Sequence, residues 1–359
     1  MITKFGRRFL TSCLAGLQSF KKQSIAIGID STTTNVNGND TRLGFEFYRL
    51  PVAFGGIDIQ TASVNVTAAS WSSNLITFTA NNTFTTGQSV VITGASNNAY
   101  NITGNVLNPT STNFQIVLTS NPGSFTGTAT ATSFTYSAIY KATIPQDVAG
   151  IINEIGLYPA SRTSVNNYDS KFLADFEDNL LWLDSSNTTP ALVTTPTPRI
   201  GTSLVHVTCN ANVTKEYKST IPFIDIGGYS GNDTIALAIN QADLNLDFIN
   251  IRLYSSDTAY YEISFDGTDI DTGTGNKILS RSLSTMTSTN SPSALISKVA
   301  IVVKAKSGGT TNVYFDAIRI NDEDTFDPTF GIIARSTVTP ITKVVGRPLD
   351  IEYKLGFNF

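Results

Sequence analysis

Phe248-Ile249-Asn250-Ile251-Arg252-Leu253 is the stretch that decides the fold. From Ile249 onward apolar and polar residues alternate, the period of a β-strand with one buried face. Thr234-Ile235-Ala236-Leu237-Ala238-Ile239 alternates in the same way, and KVAIVVKAK (298–306) and NVYFDAIRI (312–320) read as two further strands. With FLADFEDNLLWL (172–183) as an opening strand, residues 166–322 are expected to form one larger sandwich of the jelly-roll type.

Working outward, residues 61–132 are almost free of charge and carry short alternating runs such as Leu75-Ile76-Thr77-Phe78-Thr79 and Phe114-Gln115-Ile116-Val117-Leu118. Turns containing Asn, Gly and Pro separate the runs, which predicts a small β-sandwich or barrel; the stretch resembles the small immunoglobulin-like or barrel-like modules inserted in phage surface proteins. Ile25, Ile27 and Ile29 alternate, as do Leu43, Phe45 and Phe47, and Ile151 to Tyr158 reads as a buried strand. A linker rich in Ser and Asn follows at Ser161 to Tyr168. Near the end Leu349, Ile351, Tyr353 and Leu355 alternate, giving a strand that needs a sheet to join, in this chain or a neighbour. Phe9, Leu10, Cys13, Leu14 and Leu17 recur at helical spacing, so one amphipathic helix is expected there, packed on its own domain.

At 359 residues the chain is long enough for several cores. Its charged fraction is 14%, against roughly 25% for an average soluble protein, and Thr, Ser and Asn supply the polarity instead. A mainly β fold follows. The formal net charge of -4 offers no field for phosphate backbones, so nucleic acid is not expected as a partner. No apolar run is long enough to span a bilayer, and no membrane partner is expected. Cys13 and Cys209 lie far apart without metal-ligand spacing and are expected to be free thiols.

Chemistry is hard to place. His206 is the only histidine, so any Ser-His-Asp or Cys-His arrangement must use it. It stands between two valines in LVHVT and reads as a packed or edge-strand residue. Paired carboxylates need no histidine. Asp266, Asp269 and Asp271 are available for that, yet DGTDIDTGTG reads as a turn or a calcium loop. The glycine-rich runs at 127 and at 271–277 lack the strand-to-helix setting of a phosphate loop. The chain is expected not to be an enzyme.

Two separated segments, IAIGIDSTTTNVNGNDTRLGFEFYRLPV (25–52) and KATIPQDVAGIINEIGLYPA (141–160), together resemble the amino-terminal region of phage tail-collar fibre proteins. The matching residues are Ile27, Gly28, Thr41, Leu43, Glu46 and Arg49, then Ile144, Pro145, Gly150, Glu154, Ile155, Gly156, Leu157 and Tyr158. IIARSTVTPITKVVGRPLDIEYKL (332–355) looks like the closing segment of such proteins. The family's pattern is broken by the charge-poor module between the halves and by the lack of a repetitive shaft. The resemblance implies a discontinuous β base domain built from residues 1–60, 133–165 and 323–359, with residues 61–132 and 166–322 inserted. It further implies a virion structural protein of tail, collar or baseplate, with capsid decoration as the alternative. The expected location is the virion, and the expected partners are other virion proteins and copies of itself, a trimer by family analogy.

The larger insert resembles jelly-roll carbohydrate-binding modules, through DFEDNLLWL (175–183), GTSLVHVT (201–208) and VYFDAIRI (313–320). That resemblance implies a structural calcium held by Glu177 and Asp316, with carbonyls completing the site. It also raises a host-surface glycan as a partner, with Tyr254, Tyr260, Tyr261, Trp182, Tyr217 and Tyr229 as available aromatics. Trp182 lies in an apolar run and is expected in the core. Tyr260 and Tyr261 point to opposite faces if they share a strand.

Overall fold

The computed structural model describes residues 2–15, 23–31, 40, 42–159, 171–229, 231–321 and 331–357. The fold is mainly β, as the sequence leads one to expect. It divides into two compact units, Met1–Val52 with Ala142–Asp350, and Ala53–Lys141 with Ile351–Phe359.

The larger unit begins with the helix Lys4–Leu14, capped by the Thr3 hydroxyl, which accepts from the Gly6 amide at 2.9 Å. Its packing face differs from the expected one. Gly6 and Phe9 are buried, whereas Leu14 is 89% exposed. Leu17 lies outside the described residues. The reason is close approach at Gly6, where an added Cβ would stand 2.0 Å from the Ile333 carbonyl oxygen. The Thr3 amide also donates to that carbonyl at 3.0 Å, so the helix docks by its first turns and Leu14 is left outside.

A four-stranded antiparallel base sheet runs in the order Glu46–Pro51, Ser24–Gly28, Gly150–Tyr158 and Ala334–Lys343. It joins strands from the beginning, middle and end of the chain. Glu154 is its keystone. Fully buried, this carboxylate accepts from the Gly44 and Phe45 amides, each at 3.0 Å, and pairs with Arg335 at 2.7 Å. Glycine is required at Gly28, because a Cβ there would lie 2.3 Å from Glu154 Oε1. The Leu43 amide donates to the Tyr158 hydroxyl at 3.1 Å, and Arg49 sits 3.8 Å over the Tyr158 ring while pairing with Glu46. Residues quoted from two distant segments thus meet on one sheet. Thr41 lies outside the described residues.

The same unit contains an antiparallel sandwich. Its first sheet runs Ala191–Val193, Leu204–Cys209, Thr311–Asn321, Thr234–Gln241 and Gly275–Ser282, with Lys171–Ala174 also paired to Thr311–Asn321. The second runs Thr214–Asp225, Leu295–Ala305, Leu246–Tyr254, Tyr260–Asp266 and Thr287–Thr289. Alternate residues of both, among them Val207, Leu237, Phe315, Ile251, Ile263 and Ile301, fill one core. Each such side chain contributes about 1.5–3 kcal/mol on burial. The sandwich was expected as a separate module at 166–322, but here it shares a unit with the base. Backbone bonds from Ile151 to the Arg199 carbonyl, at 2.8 Å, and from Gly201 to the Ala149 carbonyl, at 3.0 Å, stitch the two.

The second unit is built on two long strands, Ala53–Val66 and Ala129–Ile144, paired from Ala53↔Lys141 to Val66↔Ala129. Ser89–Thr93, Thr103–Asn105 and Leu349–Phe357 extend that sheet, and Ala68–Ser72, Leu75–Thr79 and Asn113–Val117 form a three-stranded one. Between Ala68–Ser72 and Leu75–Thr79 the turn residues Ser73 and Asn74 have φ of 50° and 62°, the left-handed pair that a tight hairpin needs. The boundaries differ from the expected 61–132. Residues 53–60, 133–141 and 351–357, expected in the base, belong here because Ala53–Val66 pairs with Ala129–Ile144 along its length, with one irregularity between Phe54 and Gly56, and Leu349–Phe357 adds to the same sheet. The terminal strand joins its sheet within this chain, and Lys354 pairs with Asp58 at 2.9 Å.

Candidate functional site

Glu177 and Asp316, the expected calcium ligands, bind one loop from two sides. Glu177 accepts from the Thr202 amide at 2.9 and 3.0 Å, the Thr202 hydroxyl at 2.7 Å and the Ser203 amide at 3.1 Å. Asp316, 2% exposed, accepts from the Arg199 amide at 2.9 Å and the Ile200 amide at 3.2 Å. Burial pushes Asp316 up to about 7, even though those two donors favour its charged form. Ca²⁺ takes six to eight oxygens. Here N–H donors face most of the carboxylate oxygens, and among the described residues no third Asp, Glu, His or Cys joins them. The residues fit a loop clamp and do not fit the ion.

The other expected groups are engaged elsewhere. His206 is half-buried, stacked on Tyr314 at 4.4 Å, with Nε2 3.1 Å from Asn312 Oδ1. Asp269 and Asp266 pair with Arg281, and Asp271 pairs with Lys306. Cys13 and Cys209 are free.

What the fold does assemble lies on the outward face of the second sandwich sheet. Ile249, Ile251 and Leu253 enter the core, so Asn250, Arg252 and Tyr254 point outward. Register then aligns three rows. Lys298, Tyr254 and Tyr260 share the first; Lys218, Ala300, Arg252 and Glu262 the second; Glu216, Val302, Asn250 and Ser264 the third. Ala300 and Val302 are short side chains between longer ones, and both are buried.

Arg252 organises this face. It pairs with Glu262 at 2.5 Å and Glu216 at 3.2 Å, and its guanidinium lies 4.6 Å from the Tyr260 ring centre. Burial opposes its charge, but the two carboxylates outweigh burial and hold the guanidinium more firmly protonated than usual. The Tyr254 hydroxyl donates to Glu216 at 2.5 Å, and Lys218 sits 4.2 Å over the Tyr254 ring. Burial, reinforced by Glu216, pushes the Tyr254 hydroxyl upward, so it remains a donor. Tyr254 and Tyr260 pack at 4.9 Å with their planes tilted by 48°. Asn250 is 8% exposed, and its Oδ1 has no hydrogen-bond partner.

Of the six aromatics available in the sequence, only Tyr254 and Tyr260 reach this face. Trp182 and Tyr217 are in the core, Tyr229 packs against it, and Tyr261 turns inward with its hydroxyl on the Pro292 carbonyl. Tyr260 and Tyr261 do point opposite ways. Glu216, Arg252, Glu262 and Asn250 escaped the sequence reading. Their alternation with core residues was a visible signal, but which strands stand side by side was not.

No family model matches the chain, and no curated protein matches it. Solved structures with similar features include the family 11 carbohydrate-binding module from Clostridium thermocellum in complex with a β-1,3-1,4-mixed-linked tetrasaccharide, at 15% identity over 42% of this chain and 95% of that one, with a TM-score of 0.31. A surface glycan-binding protein from Prevotella bryantii is 12% identical over 73% of this chain and 77% of its own, with a TM-score of 0.29. An exo-β-agarase is 14% identical over 44% of this chain and 26% of its own, with a TM-score of 0.31. All three TM-scores are low, so what each neighbour binds is a property of that neighbour.

Proposed function

We propose that this chain is a non-catalytic carbohydrate-binding protein that takes a glycan on the outward face of the second sandwich sheet. One observation carries the reading. A half-buried Tyr260 ring, braced by Arg252 and Tyr254, stands on the outward sheet face beside polar side chains that Arg252 holds in place. Aromatic faces with a few fixed polar groups are how sugar-sized ligands are gripped and oriented. Glu216 and Glu262 are both held by one guanidinium, which fixes side chains in place and assembles no reacting pair. Tyr260→Ala in the full chain is expected to weaken retention on immobilised polysaccharide by about tenfold, the scale of one aromatic contact. Unchanged retention with unchanged folding overturns the reading.

A second reading concerns the base. Among the residues that resemble tail-collar fibre proteins, Ile27, Gly28, Glu46, Arg49, Gly150 and Glu154 to Tyr158 share one sheet, which supports a role as an assembly scaffold in a virion. The glycan face would then serve host recognition, with other virion proteins and further copies of the chain as neighbours. Imaging of purified particles tests it: density for this chain at tail, collar, baseplate or shell is expected, and absence from washed particles overturns it.

A further inference from the structure

We propose that this chain contacts a second copy of itself head to tail, the basic outer face of its helix seating on an acidic cleft of the next copy. This contact gives surfaces to the second reading above and rests on it for the presence of neighbouring copies; the glycan face takes no part. Both surfaces belong to the larger unit. On the helix Lys4–Leu14, residues Lys4, Arg7, Arg8, Thr11 and Leu14 recur at spacings of three and four, and all five are exposed. Lys4, Arg7 and Arg8 have no ion pair among the described residues. Lys4, in the first turn, opposes the helix dipole, so helix stability does not account for it. The apolar side of the helix, Gly6 and Phe9, is buried on its own unit, which leaves only Leu14 to offer a bilayer. An acidic protein surface with an apolar hollow suits this stripe.

The same unit carries such a surface, a cleft of about 490 Å³. Buried Phe47 and Ile200 and half-buried Phe172 give it apolar area, while Asp147, Asp175 and Glu177 give it three carboxylates. Among the described residues no Lys, Arg or His lines it. Glu177 is taken up by Thr202 and Ser203, but the exposed Asp147 and Asp175 have no ion pair among the described residues. Carboxylates without a counter-charge attract a cation, and the apolar area accepts the hydrocarbon stem that Lys and Arg carry. Position forbids the contact within one chain. The Thr3 amide donates to the Ile333 carbonyl, which places the helix at the Ala334 end of strand Ala334–Lys343; Lys343 donates to the Val148 carbonyl at 2.7 Å, which places the cleft at the other end. Ten residues of strand lie between, roughly 33 Å. Complementary surfaces at opposite ends of one unit meet only between copies, in a heterologous contact that closes into a ring or runs on as a row.

The test is sedimentation of the purified full chain over a range of concentrations, at low and high salt. Concentration-dependent assembly that salt weakens is expected. Arg7→Glu with Arg8→Glu, and separately Asp147→Lys with Asp175→Lys, should each weaken assembly by at least about tenfold. The melting temperature should stay unchanged, since all four side chains are exposed. Mixing the two variants is expected to restore assembly, because each reversed surface then meets its complement. A chain that stays monomeric at every concentration overturns the head-to-tail contact, while imaging of particles judges the virion role separately. Assembly that survives both variants, or that mixing fails to restore, overturns the pairing of these two surfaces. Capture by phosphatidylserine vesicles without self-assembly overturns it in favour of a lipid partner for the helix.

Discussion

The outward sandwich face and the small second unit place polarity in opposite ways. Between Ile59 and Tyr140 there is no Asp, Glu, Lys or Arg, and the small unit is held by aromatic packing such as Phe78 on Phe114 at 5.3 Å and Phe84 on Phe114 at 5.2 Å. The sandwich face gathers Glu216, Lys218, Asp247, Arg252, Glu262, Lys298 and Lys304 in a chain that is only 14% charged. Where a surface needs only to be wet, Ser, Thr and Asn suffice. Where side chains must be held in fixed positions, mutual ion pairs hold them. Charge in this chain therefore marks the places where geometry matters, the sandwich face and the base keystone.

The sharpest break of that contrast is at the keystone. Glu154→Ala leaves Arg335 buried beside Asp40 without its main partner, and loss of about 3–5 kcal/mol is expected in urea unfolding. A loss under about 1 kcal/mol would mean that the charge there is ornamental. Phe114→Ala, in the charge-free stretch of the small unit, is expected to cost about 3–5 kcal/mol as well, but through a cavity. Its cost should not change with salt; a salt-dependent cost would show that the unit's ion pairs reach its core.

Asp316 sharpens the comparison through pH. Its folded value, about 7, lies above that of an unfolded aspartate, so the folded chain binds the extra proton between roughly pH 4 and pH 7. Its contribution to stability is therefore most favourable below that window and declines as pH rises through it. Asp316→Asn should flatten this part of the melting-temperature profile against pH, and an unchanged slope would assign it to other groups. The smallest effects belong to the half-buried network on the sandwich face and the metal. Glu262→Gln is expected to lower stability by about 1 kcal/mol or less. Calcium or a chelator should leave the melting temperature where it is, whereas a rise with calcium would restore Glu177 and Asp316 as ligands.

Much of the fold was legible in the chain. Alternation in 248–253, 234–239 and 298–306 announced strands, and the order of motifs in 25–52 and 141–160 announced a sheet shared between distant segments. Even the opposite facing of Tyr260 and Tyr261 follows from a period of two. The helix face was misread at Leu14 because spacing shows which residues share a side, while Gly6 decided which side could come close.

What the sequence determined by itself was the set of strands and which residues of each face the same way, since both depend on local backbone geometry. What only the tertiary structure decided was adjacency: that Arg252 lies between Glu216 and Glu262, that Glu177 and Asp316 meet N–H groups, and that the last strand joins the small unit. Register between strands is fixed by packing and by hydrogen bonds across long sequence distances, and no local pattern carries that information.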